Sequence, residues 1–75
     1  MAATSDVYAD RVKRYLKAEL KRAGVSYAEL AKRLTEAGIP ETEGSVAVKI
    51  NRGAFPAWFL IASMEAIGSN TLRLD

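Results

Sequence analysis

An all-α fold, a compact orthogonal bundle of four short helices, is what the sequence predicts, and three features predict it. Apolar residues recur at helical spacing, as in Val12, Leu16 and Leu20 or Leu30 and Leu34. The periodic segments are closed in turn by Gly24, Gly38, Gly53 and Gly68. One of them opens with a recognisable cap, Ser26-Tyr27-Ala28-Glu29. Four short helices with tight connections can bury their apolar stripes only against one another, which gives one compact domain.

The first helix carries Val12, Leu16 and Leu20 on its inner side with Tyr15 and Ala23 beside them; Ser5 or Asp6 caps it and Gly24 ends it. In the second, Ser26 and Glu29 form the capping box, and Val25 and Leu30 are placed as a hydrophobic staple. Leu30, Ala31 and Leu34 face inward, and the helix closes at "EAGIP", where Ile39 folds back and Pro40 forbids continuation. Thr42 caps a third helix that stops before Gly53, with Glu41 and Glu43 near the positive end of its dipole. Within it Ala47 and Ile50, three apart, suit the buried side. A fourth helix starts at Pro56, taken as its first residue, and runs to Gly68. The tail alternates Leu72 and Leu74 with polar residues and predicts a short extended C-terminal arm, or a strand. The domain is expected over residues 6–75, with 1–5 as a disordered N-terminus.

With 75 residues, no cysteine and no histidine, the core must be made by apolar packing alone, with help from a partner subunit an option. The same gaps argue against an enzyme: no nucleophile stands with an obvious base, no glycine-rich phosphate loop is present, and no cofactor, metal or small-molecule substrate is expected. Gly53 to Met64 is the longest uncharged stretch, 12 residues, too short for a membrane span. The opening "MAATSDVYAD" lacks the basic-then-apolar order of an export signal, so the expected location is cytoplasmic. Net charge is +2, but residues 6–23 hold six basic and three acidic side chains, whereas 24–43 hold two and four. The first balance suits either a phosphate-facing surface or a solvated amphipathic helix.

"LKAELKRAGVSYAELAKRL" resembles the first two helices of the lambda-repressor-like (XRE-type) helix-turn-helix domain, with Ser26, Glu29, Leu30, Ala31 and Leu34 on its capped second-helix pattern. "KINRG" is similar to that family's stop after the recognition helix, and "AFPAWFLIASMEAIG" to the helix that follows. The combination of "YAELAKRL", "ETE", "KINRG" and "AIGSNTLRL" more closely resembles a family of small bacterial domains known chiefly as uncharacterised. The resemblance implies a helix-turn-helix-like fold that binds double-stranded DNA as a transcriptional regulator. Carried over residue by residue, it sets Ser45, Val46 and Lys49 toward bases and Ser26, Tyr27, Lys49 and Arg52 toward phosphates. It leaves Val48 unassigned. The 18 residues between Leu34 and Gly53 exceed what the pattern needs, so "TEAGIPETEG" lengthens the turn that poses the third helix.

The residues also admit simpler roles. Ser26 is explained by the cap, Tyr27 by a half-buried ring against the first helix, and Lys49 and Arg52 by solvation. In the fourth helix, successive residues turn by about 100°, so Trp58, Phe59, Leu60, Ile61, Met64 and Ile67 point nearly all the way round. Too few neighbours exist to cover them, which predicts a homodimer or higher homo-oligomer through Trp58, Leu60, Ile61, Met64 and the arm residues Leu72 and Leu74. Two functions from different classes are therefore expected: a dimeric DNA-binding regulator, or a non-enzymatic helical interaction or assembly module on the same fold.

Overall fold

Chain order in the computed structural model, which describes residues 4–74, is α1 (Thr4–Ala23), α2 (Tyr27–Glu36), α3 (Glu43–Arg52) and α4 (Ala57–Ala66). No strand occurs among the described residues, so the arm after Gly68 has no regular secondary structure and is not part of a sheet. The first helix starts at Thr4, two residues before the expected domain boundary at 6; Thr4 and Ser5 are helical, not disordered, and residues 1–3 lie outside the described residues.

Each later helix begins and ends for a local reason. Ser26 accepts a hydrogen bond from the Glu29 amide at 3.1 Å, and the staple residues Val25 and Leu30 are both buried. The reciprocal half of that capping box does not form: the Glu29 carboxylate instead accepts from Arg33 Nε at 3.3 Å, one turn along. At the end of α2 the Ile39 amide reaches back to the Leu34 carbonyl at 2.9 Å, as the "EAGIP" signal predicts. The complete capping box belongs to α3, where Thr42 accepts from the Ser45 amide at 3.0 Å and Ser45 Oγ accepts from the Thr42 amide at 2.9 Å. Serine replaces the usual Glu or Gln there, which hides the box from a pattern search. Pro56 precedes α4 as its N-cap, with extended backbone, rather than opening the helix as its first residue.

Leu16 and Leu20 of α1, Leu30, Ala31 and Leu34 of α2, Val46 and Ile50 of α3, Phe59 of α4 and Val25 between helices form one buried cluster. In this arrangement α3 packs on both α1 and α2, and α4 packs on α2. Full burial of each Leu, Ile or Phe contributes about 1.5–3 kcal/mol, against which the ordered backbone must be set. Ser63 is also fully buried, and its hydroxyl has no hydrogen-bond partner among the described residues. Arg33 joins α2 to α4: while its Nε holds Glu29, its Nη1 donates to the Ala66 carbonyl at 2.9 Å. A cation thereby satisfies one of the free carbonyls at the negative end of α4.

The α2–α3 connection is pinned despite its length. Thr35 Oγ1 donates to the Glu41 carbonyl at 3.1 Å and accepts from the Glu41 amide at 3.2 Å. One side chain closes the turn from both directions. Beyond α3, Gly53 takes a left-handed conformation (φ 63°) and lies against Ala9 of α1.

Candidate nucleic-acid interface

The phase of α3 decides which side chains it can offer. Val46 and Ile50, four residues apart, face the core and are both fully buried, so Val46 cannot face a base as the resemblance implies. The expected inner pair, Ala47 and Ile50, is half right: Ala47 is only partly buried, because burying the larger valine removes more apolar surface from water. Once Val46 turns in, Val48 turns out and is 50% exposed.

Ser45 and Lys49 are likewise engaged within the fold. Ser45 Oγ accepts from the Thr42 amide and sits 2.6 Å from Glu41 Oε1, to which it donates. The Lys49 ammonium pairs with the other Glu41 oxygen and stands 5.2 Å from the centre of the Phe59 ring. The Glu41 side chain is only 3% exposed. Burial alone would push its pKa up, but the hydrogen bonds from Lys49 and Ser45 and the charge of Lys49 together hold it below the ordinary glutamate value. Glu41, read from sequence as a helix-dipole residue, is therefore the anchor that folds Ser45 and Lys49 back onto the start of α3. A charge-reversing exchange at Lys49 would damage this cluster, so loss of DNA affinity in such a variant could not be assigned to a lost phosphate contact.

The outward face of α3 consists instead of Gly44, Val48, Asn51 and Arg52, all exposed. The side chains of Asn51 and Arg52 form no hydrogen bond or ion pair with any described residue. Asn51 was legible as polar and helical, but the resemblance drew attention to its neighbours. Among the expected phosphate contacts, Ser26 is exposed with its hydroxyl committed to the cap, and Tyr27 is half-buried against the core. They share a shallow depression of about 350 Å³ with Lys17 and Lys21 of α1. Those two lysines, one turn apart, are the cations that sequence reading counted but did not place beside the start of α2.

The residues expected at an oligomer interface divide into three groups. Met64 is buried, at 7% exposure, and belongs to the domain's interior. Trp58 (52% exposed) and Ile61 (60%) lie three residues apart on the outer side of α4. Leu60, Leu72 and Leu74 line a groove with α1 residues. The arm lies along α1, where Tyr15 hydroxyl donates to the Thr71 carbonyl at 3.3 Å and accepts from the Arg73 amide at 3.1 Å. Arg11 Nη2 donates to the Leu74 carbonyl at 3.1 Å.

Among the described residues no helix is long and apolar enough to cross a membrane. No group of three or more carboxylates is placed to hold a metal ion among them either. The fold and surface thus define a small all-helical domain built around a pinned α2–α3 pair, with one open helix face and one arm-lined groove. Residues 8–72 match the family described as a domain of unknown function, DUF6471, and the chain belongs to that family. No curated protein and no solved structure matches the chain.

Proposed function

We propose that this protein is a small DNA-binding regulator that presents the outward face of α3 to the major groove and associates through the outer side of α4. The observation that carries the reading is the chemistry of that face: Gly44 admits close approach, and Val48 offers a methyl contact. Beyond them Asn51 and Arg52 project into solvent with unused polar groups. Asparagine pairs in bidentate fashion with adenine, valine methyls suit thymine, and arginine suits guanine or phosphate. Lys17 and Lys21 beside the start of α2 supply further positive charge. The resemblance of "YAELAKRL" and "KINRG" to lambda-repressor-like domains supports the same assignment, with Val48, Asn51 and Arg52 replacing Ser45, Val46 and Lys49 as the reading side chains. Two copies joined at α4 would add the binding energies of two modest readers.

The test is a salt titration of binding to mixed genomic DNA fragments with sequencing of what is retained. A steep fall of affinity with salt and enrichment of one symmetric site are expected. Asn51→Ala should weaken the enriched site by about 1–3 kcal/mol while sparing random DNA, and Arg52→Glu should weaken both. Retention of no DNA at low salt would end this reading and favour the alternative, a helical interaction module. That module has its own supporting observation in the exposure of Trp58 and Ile61. Self-association is checked by sedimentation equilibrium: Ile61→Asp should shift the protein to monomer with its helical signal unchanged, and a wild-type chain already monomeric at high concentration would remove α4 from the proposal.

A further inference from the structure

A second surface has the composition of a ligand site. Between α1, α4 and the arm runs an open groove of about 730 Å³, within the range of about 300–1,000 Å³ typical of small-molecule sites. Its walls are apolar, with Val12 from α1, Leu60 from α4, and Leu72 and Leu74 from the arm. Arg11 and Arg14 also line it, and no carboxylate does among the described residues. Arg11 is held in place by its bond to the Leu74 carbonyl and by the Tyr8 ring, 5.8 Å from its guanidinium. Arg14 gives only its Nε to Asp10, at 2.9 Å, and its side chain is 79% exposed, so its terminal nitrogens remain available to a ligand.

We propose that this groove binds an amphiphilic anion: an aliphatic tail lying on the leucine and valine walls, with a carboxylate head paired to the arginines. Three observations select that occupant. Its charge is opposite to the rim, whereas a second copy docked groove to groove would set arginine against arginine. An extended peptide would need main-chain partners, but the Thr71 and Leu74 carbonyls and the Arg73 amide of the arm are already bonded to Tyr15 and Arg11. A tail and a charged head need neither, since apolar walls and guanidinium forks satisfy them directly. Because the arm forms one wall, occupancy also fastens Leu72 and Leu74 to α1.

The experiment titrates decanoate, below its micelle concentration, into the 75-residue chain and follows backbone amide resonances. Saturable one-site binding is expected, with shifts confined to residues 8–15, Leu60 and 71–74. Arg14→Glu and Leu72→Asp, both at exposed positions, should each weaken decanoate at least about tenfold while leaving the remaining resonances in place. Decyltrimethylammonium, with the same tail and opposite charge, should bind wild type far more weakly. Equal binding of the cation, uptake without saturation, shifts centred elsewhere, or no binding would each overturn the proposal. None of these results depends on DNA, so this site and the α3 face stand or fall separately.

Discussion

Replacing Gly53 by alanine will destabilise the protein by about 2–5 kcal/mol, the sum of two independent costs. An alanine held in the left-handed conformation costs about 1–2 kcal/mol, and Gly53 has φ 63°. The second cost is steric: a Cβ built there overlaps the Ala9 carbonyl oxygen and lies 2.8 Å from its carbon, so α1 must move away from the end of α3. Overpacking against backbone costs about 1–3 kcal/mol. Gly24 provides the internal control, since its φ is 71° but a Cβ there meets nothing within 4 Å. Gly24→Ala should therefore show the conformational cost alone. Thermal unfolding followed by circular dichroism separates them, at roughly 4–8 °C per kcal/mol for a domain of this size. Equal losses in the two variants would mean that the α1–α3 contact yields freely and does not fix the position of α3.

The second large effect is expected at Lys49. Lys49→Met keeps the aliphatic stem but strands the Glu41 carboxylate, which is 3% exposed, without its cation. Removing one partner of a buried ion pair costs about 3–5 kcal/mol; because the Lys49 side chain is itself 33% exposed, the expected loss is nearer 2–3 kcal/mol. The pH dependence supplies the sign. In the wild type the pKa of Glu41 is lowered, so its contribution is complete above the ordinary value of 4.5 and is lost as pH falls through the lower folded value. In the variant, burial acts without the ammonium, and the carboxyl is easier to bury protonated. The difference between wild type and variant should therefore be largest near neutral pH, begin to shrink above 4.5 as pH falls through the variant's raised folded value, and go on shrinking below 4.5 as the wild type loses its own contribution. Urea unfolding at several pH values reads this directly. The double variant Glu41→Gln with Lys49→Met should recover most of the loss at neutral pH. A gap that stays constant with pH would show that packing of the lysine stem, not charge, is what Lys49 contributes.

These two sites also mark where the sequence was readable and where it was not. Helix starts and stops were legible because each rests on contacts within a few residues: Ser26 with Glu29, Ile39 with Leu34, Thr42 ahead of α3. The core of α1 and α2 followed from spacing, with Leu16, Leu20, Leu30 and Leu34 all buried. The phase of α3 was harder, since "SVAVKI" offers apolar candidates on several sides and only packing against α1 and α2 selects Val46 with Ile50. Partners distant in sequence were invisible for the same reason. Glu41 and Lys49 are eight residues apart across a cap, and Tyr15 meets Arg73 across 58. The consequence is specific: a resemblance aligned by motif sets Ser45, Val46 and Lys49 outward, whereas local packing leaves Val48, Asn51 and Arg52 as the exposed side chains of α3. Helix 4 was apolar all round as its residues indicated, yet Met64 found cover inside the domain while Trp58 and Ile61 did not.

If α3 recognises DNA as proposed, the closed turn between α2 and α3 bears on the timing of recognition as well as on its geometry. Thr35 ties both sides of Glu41, and the Thr42–Ser45 box follows at once, so the connection has few torsions left to freeze when a ligand arrives. Whatever meets α3 encounters an angle already set, and little entropy is surrendered on docking. Among related targets, encounter rates should then be similar, and discrimination should reside in how long each complex persists. The added residues of the turn thus act as a stiffener, and under the proposed function residence time would be the quantity through which this small domain distinguishes its targets.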